Sequence, residues 1–451
     1  MDSKAMAVLA VVAIVAVGGI ACFVFFGGGS GSGEKYAIDG TLNVYGNADR
    51  DYKIDNADLK IIKDVKDGKA TLEDYPFADA NCSGAVDDDD VALVEKILKN
   101  EPCTVYFVNV KKTAGEYIST VKWPIESAIA TGSSNNLLLF TFAGINEKIH
   151  GIARQTPDWG LFPYYKDVTQ LNTTTTKITL DMANDTIKQY NVTALISDYT
   201  DSTISNEQEF RDNGIDVIRV SAAVTDPDKY ASQLLLMSFM FNIGDDAHKK
   251  ALEFAEWNTK VLKDIKTKTA AITDKHTAIV TSSGLTNNRI WISAGTSDYR
   301  DVVEVAGAQY AIGDNFDIYS ISGYTSGAYY YHGDTWLYNL NPEYIIAIAD
   351  STYYSGTVDV VSLFENRLQL FDETQAYENK NIAVVMGNGP VTMRVAYCAA
   401  LLYPEVFTME WANNLHKEMM EKFFPGELDL DGKFFVITYD DYIAAKNKAT
   451  A

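Results

Sequence analysis

The chain has 451 residues, 47% hydrophobic and 22% charged, which is ordinary usage for folded protein and enough material for several domains rather than one small one. Acidic residues outnumber basic ones 61 to 38, a formal net charge of −23, and no basic patch compensates, so nucleic-acid binding is excluded. Four cysteines without a CxxC pair exclude a disulfide framework and a zinc or redox motif of that type.

The first predicted element is membrane-spanning. Ala5 to Phe26 is an uncharged apolar run of 22 residues, and a helix rising 1.5 Å per residue crosses a hydrocarbon core of ~30 Å with about that many. A cleaved signal peptide is the rival reading, but its apolar region is usually ~7–15 residues, whereas Phe23, Val24, Phe25 and Phe26 continue past Gly18 and Gly19. A lipoprotein reading of Cys22 lacks the leucine that Gly19 replaces. Residues 1–26 are therefore expected to be a single-pass N-terminal anchor in the cell membrane. Residues 27–40 open on GGGSGSG and form a flexible tether, and the body is expected outside the cytoplasm.

Next comes an internal repeat. Residues 47–58, NADRDYKIDNAD, and residues 79–90, DANCSGAVDDDD, share a register offset by 32 positions. Oxygen-bearing side chains recur at loop positions one, three, five, nine and twelve: Asn47, Asp49, Asp51, Asp55 and Asp58, then Asp79, Asn81, Ser83, Asp87 and Asp90. A loop wrapping one Ca2+ needs that spacing, with a backbone carbonyl at position seven, here Lys53 and Ala85. Two calcium sites are expected. The plainer reading is that these Asp and Asn residues cap the two amphipathic helices that come after them. Two copies in one register, each with Asp at position twelve, resemble a type I dockerin over about residues 41–100. The resemblance implies a cohesin-like partner, met through positions ten and eleven, Asn56 with Ala57 and Asp88 with Asp89, which depart from the family's Ser/Thr pair. Tyr52 also replaces the glycine that Gly84 supplies. A left-handed tyrosine there would cost about 1–3 kcal/mol, which predicts the first site to be the weaker.

From Thr104 onward, short β-branched runs alternate with helical segments, the pattern of an α/β fold. Strands are expected at 104–110, 117–122, 148–153, 194–198 and 216–220, then at 277–283, 289–294, 317–322, 344–349, 382–387 and 434–438. Between them Ala251, Phe254, Ala255, Val261, Leu262 and Ile265 keep helical spacing. The predicted organisation is a first lobe over 104–241, a joining helix within 242–270 and a second lobe over 271–451. Several stretches are similar to helical-backbone substrate-binding proteins, which serve ABC importers of ferric siderophores, haem and cobalamin. They are VKWPIESAIATGSSNNLLLFTFAGINEKIHGIAR (121–154), NIGDDAHKKALEFAEWNTKVL (242–262), TSDYRDVVEVAGAQYAIGD (296–314), DTWLYNLNPEYIIAI (334–348) and YCAALLYPEVF (397–407). The resemblance implies a two-lobed periplasmic-binding-protein fold, an importer permease as partner and a metal chelate or corrinoid as ligand.

In such sheets ligands bind at the carboxyl ends of the strands. The loops there carry Trp159, Tyr164 and Tyr165 in the first lobe, and Tyr299, Arg300, Tyr324, Tyr353, Tyr354, Met393 and Arg394 in the second. Aromatic faces with guanidinium groups suit a bulky chelate bearing carboxylates. The run Tyr329, Tyr330, Tyr331 and His332 reads as a packed strand edge more often than as an iron site. Members of the resembled family dock on the permease through one glutamate per lobe. The equivalent count leads here to Asn184 beside Asp185 and to Thr335 beside Asp334, so neither lobe carries the glutamate: either Asp185 and Asp334 substitute as shorter carboxylates, or docking uses other contacts, or transport has been lost. No GxSxG, HExxH, phosphate-loop or GxGxxG motif is present, and the five histidines are scattered, so no enzyme is expected. His248, at the start of the joining helix, is expected to be solvated.

Overall fold

The computed structural model describes residues 36–451 except 132, 154–157, 159, 282–288, 294–296, 314–326, 332, 352, 357, 425–427, 429 and 451. The expected anchor, Trp159, Tyr324, His332 and the strand expected at 317–322 lie outside the described residues. Among the described residues no helix is long and apolar enough to cross a membrane.

The loop-helix repeat folds as two matching units. Helices Asn56–Lys66 and Asp88–Leu98 each begin at the ninth loop position, Asp55 or Asp87, which caps the helix in a reciprocal capping box with Asp58 or Asp90. Ala48, Ile62, Ala78, Ala80 and Val94 form a small core beneath them. Backbone hydrogen bonds fasten the module to the strand next in the chain: Tyr45 N–H donates to Tyr106 O at 2.8 Å and Val108 N–H to Asn43 O at 3.0 Å. Val44 pairs with Phe107, and both are buried.

Strands β1 (Cys103–Lys111) and β2 (Gly115–Trp123) pair antiparallel as a separate two-stranded sheet. The sequence pattern placed them in the first lobe without assigning a sheet, and their alternating burial suits a hairpin with one wet face. The first-lobe sheet is instead parallel, with strands β3 (Ala128–Thr131), β4 (Ile149–Ala153), β5 (Thr169–Asn172), β6 (Ala194–Asp198) and β7 (Asp216–Val220) in the order β5-β4-β3-β6-β7. That order reverses between β3 and β6, making a switch point where the chain leaves the sheet in opposite directions. β3 and β5, four residues each, are too short to stand out by periodicity.

The 26-residue helix Asp245–Ala270 then carries the chain to the second sheet, a span of about 39 Å at helical rise. Its buried stripe includes Leu252, Phe254, Ala255, Val261, Leu262 and Ile265. Phe254 stacks on Phe142 of the helix Ser134–Ala143, ring centroids 3.6 Å apart. That helix is buried on most of its surface, Ser134 and Asn136 included, which matches its place between layers. His248 is held rather than solvated, its Nδ1 2.9 Å from Ser238 Oγ, and burial lowers its pKa.

The second sheet comprises β8 (Thr277–Thr281), β9 (Arg289–Ser293), β10 (Gln309–Tyr310), β11 (Gly327–Tyr331), β12 (Tyr344–Ala349), β13 (Ile382–Met386) and β14 (Val436–Ile437). The order is β11-β9-β8-β12-β13-β14, with β10 on β8. β8, β12 and β13 are parallel, and the unbroken apolar runs of β12 and β13 are what a strand covered on both faces requires. The tyrosine run forms the edge strand β11: Tyr330 is buried against Phe371 and Tyr331 is exposed.

Candidate functional site

The loops after β4, β12 and β13 meet at a seam between the lobes. Asp158, past the end of β4, is 5% exposed, and its Oδ2 accepts the Tyr354 N–H of the second lobe at 2.7 Å. Asn388, in the loop after β13, donates from Nδ2 to Ser351 O at 2.9 Å and to the same Asp158 oxygen at 3.4 Å. Gly160 is required by this approach, since a Cβ there would lie 2.5 Å from Ser355 N. Deeper in, Arg394 is 1% exposed and donates to Gly389 O at 3.0 Å and across the seam to Asn135 Oδ1 at 2.9 Å. Thr392 hydrogen-bonds Asn258 of the joining helix. The cavity left between Asn135, Tyr230, Phe254 and Pro390 is about 10 Å3, room for a water molecule at most. Elsewhere an open hollow of about 350 Å3 lies between Thr225, Lys266, Lys275, Asp301 and Glu304, with charges of both signs.

The expected ligand residues do not form one open wall. Tyr353, Tyr354, Met393 and Arg394 are brought together at the seam but are buried. Tyr165 is buried within the first lobe, donating to Asn146 Oδ1 at 2.6 Å, and its neighbour Tyr164 is exposed. The two are consecutive residues of the single 3-10 turn Pro163–Lys166, so their side chains point about 120° apart. Tyr299 and Arg300 sit on the helix Asp298–Val305, where Arg300 pairs with Glu304 at 3.0 Å and lies over the Tyr310 ring.

Behind the seam lies a buried relay that the sequence did not reveal. His416, fully enclosed, stands 3.0 Å from the Tyr354 hydroxyl through Nε2 and 2.9 Å from the Tyr397 hydroxyl through Nδ1. Burial holds its pKa down to about 3 and raises both tyrosines well above their usual range. Asp158, Asn388 and Asn135 were equally invisible, because nothing in the chain links positions so far apart.

In the calcium-type loops the repeat extends to atoms. Asp58 accepts N–H groups of Asp49 at 3.2 Å and Asp55 at 2.7 Å; Asp90 accepts those of Asn81 at 3.0 Å and Asp87 at 2.8 Å. Both fourth positions, Arg50 and Cys82, have left-handed φ of 58° and 54°. The copies part at the first and sixth positions. Asp79 accepts the N–H groups of Ser83 and Gly84 at 2.9 and 2.8 Å, and Gly84 has φ 95°. Asn47 instead donates to Leu42 O and Asp51 O at 2.7 and 2.8 Å, and Tyr52 is not left-handed, so the strain expected there is absent.

Among the described residues no group of three or more His, Cys, Asp or Glu stands in metal-holding proximity. The loop carboxylates are turned onto backbone N–H groups. Three observations fit a cation nonetheless. Asn47 Oδ1 is fully buried without a partner. Burial, helped by neighbouring carboxylates, pushes Asp58 up to about 8 and Asp51 to about 6, and raises Asp49 and Asp90. The donors are all oxygens, as a hard cation prefers.

Of the two carboxylates expected to dock, Asp185 is exposed on the helix Leu180–Tyr190. Asp334 precedes the helix Thr335–Leu340 and accepts Tyr331 N–H at 2.9 Å.

No family model matches the chain, and no curated protein matches it. Solved structures do. The TroA-like periplasmic binding protein FepB from Veillonella parvula aligns at TM-score 0.54 with 14% identity over 73% of this chain and 99% of its own. A periplasmic solute binding protein from Veillonella parvula aligns at 0.52 with 14% identity, over 77% and 100%. A further periplasmic binding protein from that organism aligns at 0.50 with 14% identity, over 67% and 99%. The fold is that of these binding proteins.

Proposed function

We propose that the protein is an extracytoplasmic substrate-binding protein that delivers a metal chelate, of the ferric siderophore kind or a corrinoid or haem, to an ABC importer. The observation that carries this reading is the pairing of two α/β sheets on one 26-residue helix, with the loops after β4, β12 and β13 converging at a single seam. A joint of that kind opens by small displacement, so selectivity would rest on side chains already in place: Tyr353, Tyr354 and Arg394 at the seam, together with Tyr164, Tyr165, Tyr299 and Arg300. Trp159 and Tyr324 would serve as ligand residues as well. The N-terminal span would hold the body at the membrane, and Asp185 and Asp334 would meet the permease. Two Ca2+ ions would occupy the module, held by Asn47, Asp49, Asp51, Lys53 O, Asp55 and Asp58 and by Asp79, Asn81, Ser83, Ala85 O, Asp87 and Asp90.

Native mass spectrometry of protein purified from its source, with subsequent titration of iron chelates and corrinoids, tests the ligand. Micromolar binding supports the reading, and no binding removes it. Charge reversal at Asp185 and Asp334 together should abolish permease binding while leaving ligand binding intact. A second reading is a surface scaffold acting through the module. It is favoured by the closed seam and by the exposure of Asn56, Ala57, Asp88 and Asp89, the positions through which a cohesin-like partner would bind. Capture of a cohesin by the full chain, with no chelate bound, would establish it.

A further inference from the structure

The contact at Asp158 has the composition of an anion site occupied from within. Its Oδ2 receives a backbone N–H at 2.7 Å and a side-chain amide at 3.4 Å, both from the second lobe. The receiving notch is built rather than incidental. Lys433 Nζ fixes the turn by donating to Tyr354 O at 2.7 Å, and Asn388 is anchored on Ser351 O. Gly389 lets the loop pack, since a Cβ there would lie 2.4 Å from Met386 Cε and 3.0 Å from the Tyr354 hydroxyl. Asn388 is 2% exposed, and its Oδ1 has no partner, an acceptor left over beside the carboxylate. Arg394 Nε donates to the carbonyl of Gly389, the residue after Asn388, at 3.0 Å, so a guanidinium lies close by.

We propose that this notch, Tyr354 N–H with Asn388 Nδ2 and Oδ1, is a carboxylate subsite, that Asp158 fills it in the unliganded protein, and that a ligand enters by placing its own carboxylate there. The inference rests on the ligand-binding reading and narrows it to carboxylate-bearing compounds. The exchange is economical: the notch donors never lose their acceptor, and Asp158 regains water as the lobes part. A protonated ligand carboxyl, or a neutral hydroxyl or amide beside it, would give Asn388 Oδ1 the donor that Asp158 cannot. Asp158 also competes with the ligand, so apparent affinity is reduced by the fraction of molecules in which the notch is filled.

Chemical rescue tests this on the full chain. In the wild type the Tyr354 amide should exchange slowly with solvent. Asp158→Ala should speed that exchange by roughly tenfold or more, as the contact opens locally, and formate should restore protection where chloride at the same ionic strength does not. Gly160→Ala forces the loops apart while keeping the carboxylate; it should lose protection too, and formate should restore it because the notch is then empty. Wild-type protection in Asp158→Ala, or formate without effect on it, overturns the proposal. Formate rescue with no chelate or corrinoid bound by any variant overturns the transport reading and leaves the subsite standing. Chelate binding with equal affinity in wild type and Asp158→Ala, and no rescue, does the reverse.

Discussion

The loop-helix module and the interlobe seam gather polar groups in opposite ways. In the module, the six positions of each loop fall within twelve residues, and the two copies reproduce each other down to which carboxylate oxygen accepts which N–H. At the seam, Asn135, Asp158, Tyr354, Asn388 and Arg394 come from loops and helices of both lobes, and the Arg394 to Asn135 contact joins positions 259 apart in the chain. Local sites are cheap in chain entropy and leave a periodic trace. Distant ones need the whole fold and leave none.

The largest expected effect is at a network that holds a buried charge within the first lobe. Arg219, 1% exposed, donates through Nε and Nη2 to Glu207 at 3.0 and 2.9 Å and through Nη1 to Asp198 O and Thr200 O. Glu207→Ala strands that guanidinium, and urea unfolding should register a loss of about 3–5 kcal/mol. Phe107→Ala removes the buried ring on which Val44 rests and should cost about 3 kcal/mol. If the module is as self-sufficient as its local donors suggest, that variant will unfold in two steps instead of one.

Calcium should act on the module alone. At a hundredfold excess over its dissociation constant one ion stabilises by about 2.7 kcal/mol, and calorimetry of the full chain with calcium or chelator should resolve the rise. Asp90→Asn should remove most of it and Asn47→Ala less, because the first loop departs from the second at positions one and six. Equal losses would contradict the ranking.

The seam should answer to pH through His416. Its folded pKa, about 3, lies below the ordinary histidine value, so the fold favours the neutral ring. That stability is fully present above about pH 6.5 and is lost progressively as pH falls toward 3. His416→Leu should lower stability at neutral pH, leaving two tyrosine hydroxyls without their partner, while flattening the acid decline measured by thermal melting. The smallest effect is expected at Lys66→Ala, whose exposed pair with Asp88 links the two module helices at 2.7 Å; its melting temperature should match the wild type.

Much of the architecture was legible from periodicity. The apolar runs 344–349 and 382–386 mark buried parallel strands, and the spacing from Ala251 to Ile265 marks the joining helix, which the structure starts at Asp245. Strand β3, at four residues, and the pairing of β1 with β2 were not, because partner choice depends on what each face meets after folding. Of the site, residue identities at strand ends could be read, but not their burial. Tyr164 and Tyr165 carry the same chemistry, and only packing against Asn146 sends one inward.

By itself the sequence determined the order of modules, the repeat with its oxygen donors, and the α/β alternation, since each rests on interactions between residues near in the chain. Tertiary structure alone decided that the module is fastened to β1 and that Asp158 closes the seam on Tyr354. It also decided that Arg394 reaches Asn135 and that His416 lies between two tyrosines. Those contacts exist only once two separately wound sheets are set against one helix, and no local propensity encodes where their loops will meet.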